Sequence, residues 1–544
     1  MKKLLILSYL WLAIPLNAGI RTTDEAMAAA SRFLMQSSVR RSSSLRPQQT
    51  LRLVATGMQK SEDVPAYYVI NQGDDEGFVI VSADNRCRTI LGYVEEGSYS
   101  ESHVPANVRL WLEHYVEEMS QLPSSEIVPY YNPHANVIIN PLLGDIMWNQ
   151  DSPFNNQCPI DADGARSVTG CIATAAAQIM YYWKYPEHGV GTHAYNWKNS
   201  AGTTTKLEVN FETTTYAWEK MTGNYTSWYD MQGRVHYSYS DAQAQAVATL
   251  MYHVGVACDT KYHSSGSSSF SDNVAEAFRR DFGYDKGLRL LYKDCMSQTQ
   301  FTQALLNELQ AGRPVLMTGQ KQGEGGHAFI CDGLDKNGLF HINWGWGGYM
   351  NGFFALTTLH PEHEGIGGVE GEGGYTIGID AIVGIQPDRG NLYSAPFVGA
   401  DKIDFMPLAI ARDSDLGIDA VLINYGPSTW RGFLAVNVYQ NSECILSSDL
   451  LDTCDVPSYQ GFHVSGDDAI NFAGLPEGRY KMALEYNALT DTAFKPVYTS
   501  TETPYYDVII DADSAYICRS TGEYYTLSTY VVGPGRIQMS SRPR

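Results

Sequence analysis

"GGHAFICDGLDKNGLFHINWGWGG", residues 325–348, decides how this chain is read. His327 stands behind Gly325 and Gly326, so little side-chain bulk flanks it on that side. "HAFICDGL" alternates loosely, Asn337-Gly338 is a turn signal, and "LFHIN" reads as a returning strand. The stretch is therefore a β-hairpin that carries a histidine in and leaves through a glycine- and tryptophan-rich exit. A flush two-residue turn pairs Lys336 with Leu339 and sets Asn343 opposite Asp332. A bulge, a coil in the ribbon or side-chain reach must then bring Asn343 to His327, where its amide could fix the imidazole tautomer. His341 alternates with Phe340 and Ile342 and reads as structural.

A histidine so presented implies a nucleophile elsewhere, and "SVTGCIATAAAQIMYYWKYP" (167–186) offers one. Ile172, Ala175, Ala176, Ile179, Met180 and Trp183 recur at helical spacing from Cys171, and Pro186 ends the element. Cys171 thus falls in the first turn, where free backbone N–H groups and the helix dipole favour a thiolate. A small buried cysteine packing a helix end is the competing reading.

Further out the chain divides. "MKKLLILSYLWLAIPLNAG" has a lysine start, an apolar run and a small residue, Ala18, at a cleavage position. It reads as an export signal over 1–18, too short to span a membrane. Residues 19–125 carry an alanine-rich helix, a hairpin around "QGDDEG" and the amphipathic "VRLWLEHYVEEMSQL", a small α+β unit. Residues 126–140 lie in a proline-rich linker suited to cleavage. Residues 141–388 form a mixed segment. From 393 to 544 short alternating strands, such as "RGFLAVNVYQ" and "GRYKMALEYNA", predict an antiparallel β-sandwich of immunoglobulin-like kind.

Composition narrows the function. Sixty acidic against 38 basic side chains give a formal net charge of −22, which disfavours nucleic-acid partners. Nine cysteines are an odd number and too few for a disulfide scaffold, so a free thiol is expected. Cys444 and Cys454 are close enough in sequence to pair. His360 and His363 lack the spacing of a second ligand pair, so no metal is expected.

"VTGCIATAAAQIMYYWKYPEHG", "GGHAFICDGLDKNGLFHINWGWGG" and "NGFF" together resemble the streptopain family, bacterial cysteine proteases of papain-like fold. The resemblance covers about residues 141–388. "YYVINQGDDEGFVIVSADNR" is similar to the family's inhibitory prosegment, and longer relatives carry a β-rich tail. The resemblance implies an α+β protease domain between a small α+β propeptide and an all-β domain. It implies Cys171 as nucleophile and His327 as general base and then acid. Gln150 in "IMWNQDSPFN" would supply the oxyanion hole with the Cys171 N–H, in preference to Gln157. Asn343 or Trp344 would orient and shield His327. "SSGSSS" (264–269) corresponds to a substrate-side loop and "GVEGEGGY" (368–375) to a mobile glycine-rich loop, here carrying Glu370 and Glu372. An apolar residue is favoured two positions upstream of the cut. No cofactor is implied. The partners are protein or peptide substrates and the chain's own propeptide, with secretion or surface display as destination. The alternatives are a peptidoglycan amidase, a transglutaminase-like acyl transferase, or an inert adhesin whose tail carries the function.

Overall fold

The computed structural model describes residues 19–38, 50–59, 64–120, 137–293, 296–321, 325–357, 377–391, 398–489, 491, 493–499, 504–519, 526–531 and 537–542. The expected export signal lies outside them, as do most of the linker and the glycine-rich loop at 368–375. The chain forms two compact units: residues 1–103, 112–133 and 357–360, and residues 104–111, 134–356 and 361–544.

In the first unit, helix α1 (Thr23–Ser38) lies against an antiparallel meander of β1 (Leu51–Met58), β2 (Pro65–Gln72), β3 (Phe78–Ser82) and β4 (Ile90–Val94). Ala26, Ala29, Ala30 and Phe33 line one stripe of α1 and meet Tyr68, Ile70, Val79 and Val81 of the sheet. Small residues on that stripe let the helix sit close to the strands. The hairpin expected around "QGDDEG" is β2–β3. Helix α2 (Ala106–Ser120) contributes its start, through Trp111, to the second unit and its remainder to the first.

The second unit is built on α3 (Cys171–Trp183). Its residues 172 to 180 are all buried, so it is a core helix rather than an amphipathic surface one. Alanines at 173, 175, 176 and 177 allow neighbours to approach, while Ile172, Ile179 and Met180 each stabilise by about 1.5–3 kcal/mol through burial. Lys184 ends the helix in the left-handed region, its N–H shared between the carbonyls of Met180 and Tyr181. Two ribbons follow, β5 (Thr192–Lys198) with β6 (Thr204–Asn210), which buries Trp197, Leu207 and Val209, and the exposed β7 (Ser227–Tyr229) with β8 (Val235–Tyr237). Then come α4 (Asp241–Ala257), α5 (Ser271–Arg280), β9 (Arg289–Tyr292) and α6 (Gln298–Gln310). The sheet against α3 adds β10 (Val315–Lys321), β11 (Gly325–Leu334), β12 (Phe340–Asn343), β13 (Gly352–Phe354) and β14 (Ile377–Val383). Its order is β13-β12-β11-β10-β14-β9, all antiparallel. Leu316, Ala328, Ile330 and Ile382 share the α3 core.

The remaining strands are β15 (Val398–Met406), β16 (Ala409–Ala411), β17 (Asp415–Asn424), β18 (Trp430–Gln440), β19 (Glu443–Val456), β20 (Gly461–Asn471), β21 (Gly478–Ala488), β22 (Lys495–Pro496), β23 (Tyr506–Ile510), β24 (Ser514–Arg519), β25 (Thr526–Val531) and β26 (Ile537–Arg542). The sheet β15-β17-β20 and the sheet β16-β24-β23-β21-β18-β19 share one apolar core, the two-layer arrangement expected from strand alternation. The expected pairing of Cys444 with Cys454 does not occur. Both thiols are free and stand on the same extended strand β19, which separates them by roughly 30 Å.

Candidate active site

Cys171 is the first residue of α3 and is half-buried. Gly170 before it has φ +86°, and a Cβ there would come within 2.9 Å of the Ser267 carbonyl oxygen, so only glycine fits. Thr174 Oγ1 donates to the Gly170 carbonyl at 2.9 Å, which leaves Thr169 Oγ1 to donate to Thr174 at 2.8 Å. The serine loop is fastened beside the nucleophile at both ends. Ser267 Oγ donates to the Val168 carbonyl at 2.7 Å. The Asp161 carboxylate, buried, accepts from the N–H groups of Ser200 (2.8 Å), Ala162 (2.7 Å) and Ser264 (3.3 Å). Those N–H groups, Ser200 foremost, hold Asp161 well below the usual carboxylate range.

The first-turn position was expected to favour a thiolate, but burial wins. The Cys171 thiol lies above its ordinary value through desolvation, only partly opposed by the N–H groups of Ala328, Ile172 and Cys171 itself. Desolvation likewise lowers His327. A thiolate–imidazolium pair would shift both groups the other way. Among the described residues no hydrogen bond or ion pair joins Cys171 to His327. Alternation explains this, because Ala328 joins the α3 core while His327 falls on the same face of β11 as Phe329. Cys171 and His327 are thus brought to adjacent backbone positions but left uncoupled.

Gln150 is buried, and its carbonyl accepts from the N–H of Thr169, two residues before the nucleophile, at 3.1 Å. Among the described residues its side-chain amide makes no hydrogen bond. Gln157 is committed elsewhere, its Nε2 donating to Thr249 Oγ1 on α4 at 2.6 Å.

The hairpin's register differs from the flush turn. Leu334 pairs with Phe340, a bulge falls between Cys331 and Gly333, and Asn343 pairs with Ile330 rather than Asp332. Asp335 sets the longer turn by accepting from the N–H groups of Asn337 and Leu339, each at 2.8 Å. Asp332, at the bulge, accepts from the Leu143 N–H at 2.9 Å and meets His341 Nδ1 at 2.5 Å. His327 instead faces Gly319 across β10. Asn343 therefore does not orient His327 here. Its Nδ2 donates to the Ile146 carbonyl (2.9 Å) and Gln178 Oε1 (3.3 Å), and its Oδ1 accepts from the Gly345 N–H (3.0 Å). Asn343→Ala would strip these buried partners, a loss of about 2–3 kcal/mol. Urea unfolding of the purified chain should show that loss. An unchanged midpoint with a collapse in kcat alone would instead place Asn343 on His327.

Trp344 is fully buried, and among the described residues its indole N–H has no hydrogen-bond partner. Its ring packs against Phe329, Trp111 and Phe354, not His327. One residue here escaped sequence reading. Asn107, at the start of α2, donates to the Trp344 carbonyl at 2.7 Å and accepts from Trp346 Nε1 at 3.1 Å. Leu110 reaches over Gly319, the cross-strand neighbour of His327, and Trp111 sits edge-on to Phe329 at 5.4 Å. An asparagine in the first turn of a helix, two residues after Pro105, looks like an ordinary helix-start residue, so nothing local announced it. His360 and His363 lie outside the described residues. Among those described, no cluster of three or more His, Cys, Asp or Glu side chains could hold a metal.

Two family models match this chain. The Peptidase C10 family matches residues 148–354, and the Spi protease inhibitor matches residues 18–119. Streptopain of Streptococcus pyogenes is 32% identical over 386 residues, covering 68% of this chain and 92% of streptopain. The thiol protease/hemagglutinin PrtT of Porphyromonas gingivalis is 33% identical over 396 residues; the match covers 70% of this chain and 44% of PrtT. Among solved structures, a mutant fragment of prointerpain A from Prevotella intermedia is similar with a TM-score of 0.51 and 28% identity. That match covers 62% of this chain and 99% of the fragment.

Proposed function

This chain belongs to the Peptidase C10 family and is a cysteine peptidase carrying its own inhibitor domain, and from that premise we propose how its residues divide the work. Residues 1–18 direct export to the cell surface or beyond. Residues 19–125 hold the enzyme latent, and cleavage within the linker at 126–140 releases the protease domain, 141–388, with the β-sandwich from 393 onward attached. Losing Asn107, Leu110 and Trp111 uncovers the Trp344–Trp346 turn and the β10–β11 strands, so that His327 can swing to Cys171. His327 then takes the thiol proton, Sγ attacks the scissile carbonyl, and His327 returns the proton to the leaving amine. Water hydrolyses the acyl-enzyme by the same route in reverse. Gln150 Nε2 and the Cys171 N–H receive the oxyanion. Trp344 shields the imidazole from water. The loop at 264–269 holds the upstream side of the substrate, with an apolar residue two positions before the cut.

The observation that carries this reading is the position of the Cys171 sulfur. It lies at a helix start with the N–H of Ala328, neighbour of His327, directed at it. The test is Gln150→Ala in the processed enzyme. It should lower kcat by about 10²–10³-fold on a peptide substrate, whereas Gln157→Ala should leave kcat near wild type. The reverse pattern would move the oxyanion hole to Gln157.

A further inference from the structure

The β7–β8 ribbon exposes more apolar surface than a free surface loop has reason to. Met231 at its tip is 98% exposed, Tyr229 76% and Trp228 52%, with Val235 and Tyr237 exposed beside them. Clustered exposure of this kind marks a contact surface. The ribbon's charges, in contrast, are already closed upon one another. Asp230 accepts from Arg234 Nε at 2.7 Å and from His236 Nε2 at 3.0 Å, and its other oxygen takes the N–H groups of Gln232 and Arg234 at 2.9 Å. What remains to attract a partner is therefore apolar and aromatic.

Position supplies the second half of the argument. Tyr229 pairs across the ribbon with Val235, and Tyr237 lies two residues further along the same face. From Tyr237 a row of rings runs inward. Tyr237 meets Tyr239 at 5.1 Å, Tyr239 meets Tyr225 at 5.1 Å, and Tyr225 meets Phe154 at 5.1 Å and Trp148 at 6.3 Å. Trp148 is two residues before Gln150. The ribbon's root is equally bound to the tryptophan turn. The Met147 N–H donates to the Gly223 carbonyl at 2.8 Å, and the Gly347 N–H donates to the Trp148 carbonyl at 3.0 Å. At Gly348, with φ +87°, a Cβ would lie 2.6 Å from Met147 Sδ. Trp346, the Gln150 segment and the ribbon thus form one continuous layer. The serine loop is fastened instead to the segment entering Cys171, through Val168 and Gly170.

We propose that the β7–β8 ribbon is an exosite that binds an apolar or aromatic stretch of the polypeptide substrate downstream of the scissile bond. The proposal rests on the peptidase reading above, since it needs the Gln150–Trp346 layer to border the leaving-group side of the cleft. Such a surface adds affinity for long chains without touching the reacting atoms, so its loss appears in KM for long substrates alone.

The experiment compares Tyr229→Ser/Val235→Ser with wild type, both as the full chain after processing, on two substrates. One is a short acyl peptide whose leaving group is a reporter amine with no residues beyond it. The other has the same upstream residues and about 15 further residues containing Phe, Leu and Tyr. The expected result is a roughly tenfold fall in kcat/KM on the long substrate, carried by KM, with the short one unchanged. Equal losses on both, or no loss on either, overturn the exosite. So does sedimentation showing a wild-type dimer that the variant dissolves, because the face then belongs to a second copy. A wild type that cuts neither substrate refutes the peptidase assignment itself and takes the exosite with it.

Discussion

Cys171→Ala is expected to leave residues 19–544 intact under a mild reductant, while the wild type trims itself between about residues 122 and 145. The same substitution should lower hydrolysis of casein by at least about 10⁴-fold once the N-terminal unit is removed by another protease. The size follows from what the sulfur does. It forms and breaks the covalent bond, and no neighbour can replace it: Cys158 and Cys258 are fully buried in the same core, and burial pushes Cys158 up to about 12. Intact-mass spectrometry reads the first result and peptide release the second. Trimming by the alanine variant at the same rate would assign the cut to a contaminating protease. Undiminished casein hydrolysis would remove Cys171 from the chemistry.

The second large effect lies in how alkylation of Cys171 by iodoacetamide depends on pH. In the precursor the thiol lies above its ordinary value and His327 below, so the neutral pair dominates throughout the neutral range. Thiolate is then a small minority at pH 7 and scarcer still at pH 5. Its alkylation rate should climb tenfold per pH unit from pH 5 to beyond 8. After processing, a thiolate paired with His327 would already be formed at pH 5. Its lower basicity reduces intrinsic nucleophilicity and offsets part of that gain. The net expectation is a flat profile from about pH 5 to 8 and a rate at pH 5 well above the precursor's. His327→Ala should restore the steep profile in the processed enzyme. A flat profile in the intact precursor would mean that the pair is already formed, and that latency comes only from blocked access.

The placement of Cys171 and His327 was legible because it is local. Gly170 must be glycine, Cys171 must open a helix, and alternation must carry His327 on a strand; each condition is written within a few residues of the group concerned. The hairpin at 325–343 was legible as a hairpin but not in register. "DKNG" allows a flush turn, and the longer one wins because Asp335 satisfies two N–H groups and Asp332 bulges out to hold Leu143 and His341. Asn343 looked like an orienting amide by its place in the motif, yet Ile146 and Gln178, 197 and 165 residues upstream, claim it. Cys444 and Cys454 looked pairable by spacing, and a single long strand keeps them apart.

By itself the sequence determined the order of parts, the helix that presents Cys171, the strand that presents His327 and the alternation of the C-terminal strands. These depend on periodicity, turn chemistry and the exclusion of side chains at glycines, all short-range constraints. Only the tertiary structure decided the charge state of the pair, the commitment of Gln157 and Asn343 and the grip of Asn107 on the Trp344–Trp346 turn. It also decided that the β7–β8 ribbon grows from the layer beside Gln150. Each of these depends on which buried groups from distant segments compete for the same donor, acceptor or volume, and desolvation sets the outcome only once that neighbourhood exists.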